Sequence, residues 1–171
     1  MTRRILITLI SIAAMCGSAA AGEMPHVRDN GDVRIATLLQ EGIRRSATLR
    51  RIVAQVDASD GIVYIEEGRC RYSARACLSH SIIIAGPSRI LRIRIDTARG
   101  RDEVLAVFGH ELRHALEVLD QPQLRSMQAV MYFYEMEGRR SEGRYETTAA
   151  LDTERAVLRD LHGRSPVVKV D

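Results

Sequence analysis

The sequence predicts an α+β fold: one helix, then a small antiparallel sheet of about three strands, then three more helices. Three observations carry this prediction. Apolar residues recur at helical spacing over residues 33–56. Three short runs rich in β-branched residues follow between positions 61 and 96, the last strictly alternating. From Asp102 the period is helical again and stays so to about residue 161. Strands and helices grouped in this way, rather than alternating, define the class.

The first element lies behind a separate leader. Arg3 and Arg4 give residues 1–21 a basic start, an apolar stretch runs from Ile5 to Met15, and small residues lead to an Ala19-x-Ala21 cleavage site. That layout reads as a secretory signal peptide. A membrane span needs about 20 apolar residues, and this stretch is shorter. Met15 stands where a lipoprotein signal built on Cys16 calls for a small residue. The expected product is an exported chain, periplasmic or secreted, with no stable membrane span after cleavage. Losing Arg3 and Arg4 takes the formal charge from +3 to +1. The sequence pI of about 9.0 therefore does not point to nucleic acid, whose recognition needs a clustered basic face. The mature chain keeps two cysteines, Cys70 and Cys77, with six residues between them. Export and an even count predict a disulfide, and the spacing is too long for a zinc knuckle.

Each element has its own signals. Residues 22–32 form an irregular lead-in. Asp32 can cap a helix over residues 33–56, with Ile35, Leu38, Leu39, Ile43, Leu49, Ile52 and Val53 on its apolar face. The strands are expected at 61–66, 81–85 and 90–96, with a turn at Gly86-Pro87-Ser88. In the last strand Leu91, Ile93 and Ile95 face one way and Arg92, Arg94 and Asp96 the other, so its edge could receive an extended peptide. The helices are expected at 102–119, from about 123 to 136, and from about 145 to 161. One domain spans 33–163, and 164–171 is a tail.

The chemistry lies in His110-Glu111-Leu112-Arg113-His114. On a helix the two histidines are one turn apart and about 40° around it, so both imidazoles can face one cation. Glu111 falls beside them, within reach of a water at the metal. Val104, Leu105, Phe108, Leu112, Ala115, Leu116 and Leu119 occupy the opposite face. Two neutral imidazoles make Zn2+ the expected metal.

With its HExxH motif, an upstream strand and Glu146-Thr147-Thr148-Ala149 downstream, the chain resembles the short gluzincin-type zinc metallopeptidases over roughly residues 90–161. The resemblance implies zinc on His110 and His114, Glu111 as general base, and a third ligand from a later glutamate. The aspartate that many gluzincins place four residues after that glutamate is here Ala150.

The third ligand is open among Glu117, Glu146 and Glu154. Glu117 shares the histidine helix, where three ligands fall nearly in line, and is better placed to support His114. On a single helix Glu146 and Glu154 would be about 12 Å apart and could not both reach one ion. Small Ala149 and Ala150 favour Glu146. Tyr132, Tyr134 and Tyr145 are candidate donors to an oxyanion. The reaction expected is hydrolysis of a peptide or protein substrate. A non-catalytic zinc-binding module and a hydrolase of other amides or esters are the alternatives.

Overall fold

The computed structural model describes residues 24–71, 74–141 and 144–163. The leader at 1–21 and the tail at 164–171 lie outside the described residues.

The fold is α+β, with five helices and a small mixed sheet. Strand β1 (Val27–Arg28) lies inside the expected lead-in and pairs in parallel with β2 (Gly61–Glu67). β2 pairs in parallel with β5 (Ser88–Ile95), whose other side carries β3 (Ala76–Leu78) and β4 (Ile83–Ala85), both antiparallel. The sheet is therefore mixed, not antiparallel. Alternation fixes which face of a strand is buried, and Leu91, Ile93 and Ile95 are indeed buried. It does not encode strand direction. Nor is β5 an edge: the edge beside the candidate site belongs to β3.

The helical region 33–56 is two helices, α1 (Val33–Arg45) and α2 (Ala47–Asp57). Ser46 separates them. Its backbone is extended and its hydroxyl accepts from the Leu49 N–H, capping α2. Asp160 accepts from the Ser46 hydroxyl and from the Thr48 N–H, which pins this break to the last helix.

Helix α3 (Arg101–Leu119) carries the HExxH motif and runs through the middle of the protein, with 14 of its 19 residues buried. A helix so enclosed belongs to the core rather than the surface. It packs on β5 and β3 on one side and on α2 and α5 (Thr148–Leu161) on others. Gly109 allows the approach of α5, since a Cβ there would lie 2.7 Å from Val157 Cγ2. At the far end of α3, fully buried Arg89 donates to both carboxylate oxygens of Asp60 and to the carbonyls of Val118, Leu119, Gln121 and Leu124. One side chain thus gathers four carbonyls at the end of the helix and in the turn after it, two of which, Val118 and Gln121, also accept from backbone N–H groups.

Helix α4 (Met127–Glu137) starts later than expected, at a Ser126 cap. A two-stranded hairpin follows, β6 (Arg139–Ser141) with β7 (Arg144–Glu146). α5 consequently begins at Thr148, where the Thr147 hydroxyl accepts from the Ala150 N–H. Glu146 is the last residue of a strand, not the first turn of a helix.

Candidate metal centre

His110 and His114 project from one face of α3, their rings 4.8 Å apart and nearly perpendicular. The Nδ1 of each ring meets a carboxylate. Glu154 Oε2 is 3.0 Å from His110 Nδ1, and Glu117 Oε2 is 2.9 Å from His114 Nδ1. With Nδ1 as the donor in both pairs, each Nε2 offers a lone pair to a cation once its own proton is displaced.

The two Nε2 atoms face a single oxygen. Glu146 Oε2 lies 3.0 Å from His110 Nε2 and 3.9 Å from His114 Nε2, delivered by the end of β7. It is buried, yet makes no properly angled hydrogen bond. The three ligand atoms lie within 4.8 Å of one another, and among the described residues this is the one such group that could hold a metal ion. A tetrahedral ion with nitrogen and oxygen ligands at about 2.0–2.1 Å sets those ligands roughly 3.3 Å apart. The two measured contacts bracket that spacing. An unsatisfied buried carboxylate oxygen aimed between two imidazole lone pairs is the donor set a divalent cation requires.

Glu154 was expected away from the ion because it was placed on one helix with Glu146. The strand β7 removes that premise. Both glutamates now reach His110, on opposite ring nitrogens. Glu154 is itself held by Arg75 at 2.8 Å, and Arg75 reaches Glu103 on α3 at 3.0 Å. The position four residues after Glu146 is buried Ala150, and Glu154, one turn further along α5, contacts the histidine instead. Glu117 accepts from the Thr147 hydroxyl at 2.6 Å. A chain of contacts therefore runs from His114 to the residue next to Glu146.

The charges of the metal-free site follow from these pairs. Burial works against protonation of His110, but Glu146 and Glu154 outweigh it and raise its pKa to about 10. His114, equally opposed by burial, is raised to about 9 by Glu117 and Glu146. Burial would push Glu146 upward, yet the two histidines hold it well below the usual carboxylate range. Glu111 is buried and raised by that burial, with the histidines pulling the other way.

The site opens into a cleft of about 540 Å³ that reaches the edge of β3 and the Cys70–Cys77 disulfide. That disulfide is formed, with the two Cα atoms 6.0 Å apart. The three tyrosines separate clearly. Tyr132 is 65% exposed and does not line the cleft. Tyr134 is buried and donates to the His114 carbonyl at 2.9 Å. Tyr145 lines the cleft and donates to Glu135 at 3.3 Å. His80, whose place before a strand reads in sequence as a surface position, also lines it, beside Tyr134. Burial lowers its pKa, and the neighbouring His114 adds to that.

Compared with known family models, curated proteins and solved structures, the chain gives no match. What the fold and the site define is an α+β protein with a His-His-Glu group suited to a metal ion. No helix among the described residues is long and apolar enough to cross a membrane.

Proposed function

We propose that this chain is an exported zinc-dependent hydrolase, acting on peptide bonds. The observation that carries the reading is the convergence of His110 Nε2, His114 Nε2 and Glu146 Oε2, with buried Glu111 next to them on α3. A site that only stores metal has no use for that fourth side chain, a second carboxylate. Two nitrogens and one oxygen favour zinc over the all-oxygen cations. Zinc held by three side chains supplies Lewis acidity to water and to a carbonyl oxygen.

The chain's own residues do the rest. Glu111 accepts a proton from water as its oxygen bonds to the carbonyl carbon, and gives that proton to the nitrogen when the C–N bond breaks. Glu117 and Glu154 fix the orientation of the two imidazoles. His80 lines the cleft wall and can donate to the developing negative charge, as can Tyr145 when it releases Glu135.

The edge of β3 supports a peptide over other amides. Asp96 N–H donates to the Arg75 carbonyl and Ser79 N–H to the Arg92 carbonyl. In an antiparallel pair these bonds alternate, so the backbone groups of Ala76 and Leu78 point away from β5 toward the cleft. An extended substrate can pair there.

The test is the Glu111→Gln variant beside the native chain. Native protein should carry about one zinc and hydrolyse an unstructured protein such as casein, whereas the variant should keep its zinc and lose most of that activity. Full activity in the variant removes Glu111 from the mechanism. Zinc binding without hydrolysis in the native chain would leave a metal-binding module.

A further inference from the structure

We infer that the cleft selects acidic peptides, and that Arg69, Arg71 and Arg94 read their carboxylate side chains. The inference deepens the peptidase reading and rests on it.

All three arginines line the cleft that contains His110, Glu111, His114 and Glu146. All three are exposed. Among the described residues none of their guanidinium groups makes a hydrogen bond or an ion pair. Their neighbours behave differently. Arg75 is paired with Glu103 and Glu154, Arg89 with Asp60, and Arg92 with Glu66. Among the described residues the carboxylates in the cleft wall are Glu111 and Glu146; Glu146 belongs to the His-His-Glu group and Glu111 stands beside it on α3. Among the described residues, these three positive charges thus face the cleft without a paired carboxylate, unlike Arg75 and Arg92 beside them.

The fold explains why they gather at one place. Arg94 on β5 is the register partner of Cys77 on β3. Cys77 is bonded to Cys70, and Arg69 and Arg71 flank Cys70. The disulfide therefore holds two arginines over the same point of the edge strand that the third reaches through the sheet. The stem of Arg94 lies along Gly68, where a Cβ would be only 3.5 Å from its Cδ. A substrate lying along β3 passes this point, so its side chains on one side of the scissile bond meet the guanidinium groups. Guanidinium pairs with carboxylate in two parallel hydrogen bonds. The basic cluster is small and local rather than an extended basic face, which favours carboxylates on a peptide over a nucleic acid backbone.

The test uses zinc-loaded Glu111→Gln protein, so that peptide is bound without turnover. Three rhodamine-labelled decapeptides would be compared by fluorescence anisotropy, identical except for three Glu, Gln or Lys residues on one side of the central bond. Three exposed pairs of this kind should favour the Glu peptide over the Gln peptide about tenfold, with the Lys peptide weakest. The preference should shrink at about 0.5 M salt, where screening acts within a few ångströms. It should also fall below about twofold in the Arg69→Gln/Arg71→Gln/Arg94→Gln variant with its zinc retained. Equal binding of the Glu and Gln peptides, binding of neither, or an undiminished preference in the triple variant would overturn the inference. The two readings fail separately. Native protein that cleaves Glu and Gln peptides with equal kcat/KM loses only the acidic preference. Native protein that binds with this ranking but cleaves nothing loses only the peptidase.

Discussion

On the proposed function, zinc would compete with protons for the same two nitrogens, and the strength of that competition follows from the carboxylates around them. In the metal-free protein His110 titrates at about 10 and His114 at about 9. Both are therefore protonated at neutral pH. An ion taking up both Nε2 atoms must displace about two protons, so below pH 9 the apparent affinity should rise about a hundredfold for each pH unit. A site of unperturbed histidines, titrating near 6.5, would show almost no dependence above pH 7. Zinc affinity measured against a competing chelator at pH 6.5, 7.0 and 7.5, corrected for the chelator's own protonation, distinguishes the two. Calorimetry in buffers of different ionisation enthalpy counts the protons directly. Stability should move in the opposite sense in the metal-free protein. Both pKa values are raised above the unfolded value, so this contribution is complete below about pH 6.5 and is lost as the pH rises through 9 and 10. Fewer than one proton released at pH 7, or an affinity independent of pH, would show that the carboxylates do not hold the histidines as argued.

Two further outcomes test the frame of the site. Glu117→Gln and Glu154→Gln, each removing the charge beside one histidine Nδ1, should each weaken zinc binding about 10- to 100-fold without abolishing it, as read by chelator competition. Arg89→Met should destabilise the protein by about 3–5 kcal/mol in denaturant melts, because four carbonyls and Asp60 lose a shared buried partner. A cost below about 1 kcal/mol would mean that water can replace the guanidinium there.

The parts of this molecule legible in its sequence are those governed by local periodicity. The turn between His110 and His114 is a property of one helix, so their shared face could be read without knowing the fold. The faces of β5 were legible for the same reason. What depends on distant partners was not. The direction of β2 relative to β5 leaves no mark on a period of two. Ser46, Ser126 and Thr147 are capping residues whose signal was outweighed by apolar periodicity running across them. The last of these mattered most, since reading through Thr147 put Glu146 and Glu154 on one helix and set them against each other. Arg89 is one arginine among many in the sequence, and only the carbonyls converging on it show its role. Gly109 did carry a signal, because a glycine in a strong helix is costly unless something needs the space. Here α5 occupies that space.

The contacts around the metal centre also suggest why the third donor can come from a hairpin and still be held in place. A ligand at a strand end has less support than two on a buried helix, and ion binding requires all three to hold position at once. Thr147 supplies the missing support. Its hydroxyl accepts from the Ala150 N–H, which fixes the start of α5, and donates to Glu117, which contacts His114. Glu146 is the residue immediately before it. On the other side Glu154, in the second turn of α5, contacts His110 and is clamped by Arg75 from the strand region. α5 therefore touches His110 directly through Glu154 and reaches His114 only indirectly, through its Thr147 cap and Glu117 of α3, and Gly109 lets it lie close enough to do so. The helix that sequence reasoning assigned as the source of the third ligand serves instead as the brace that sets all three.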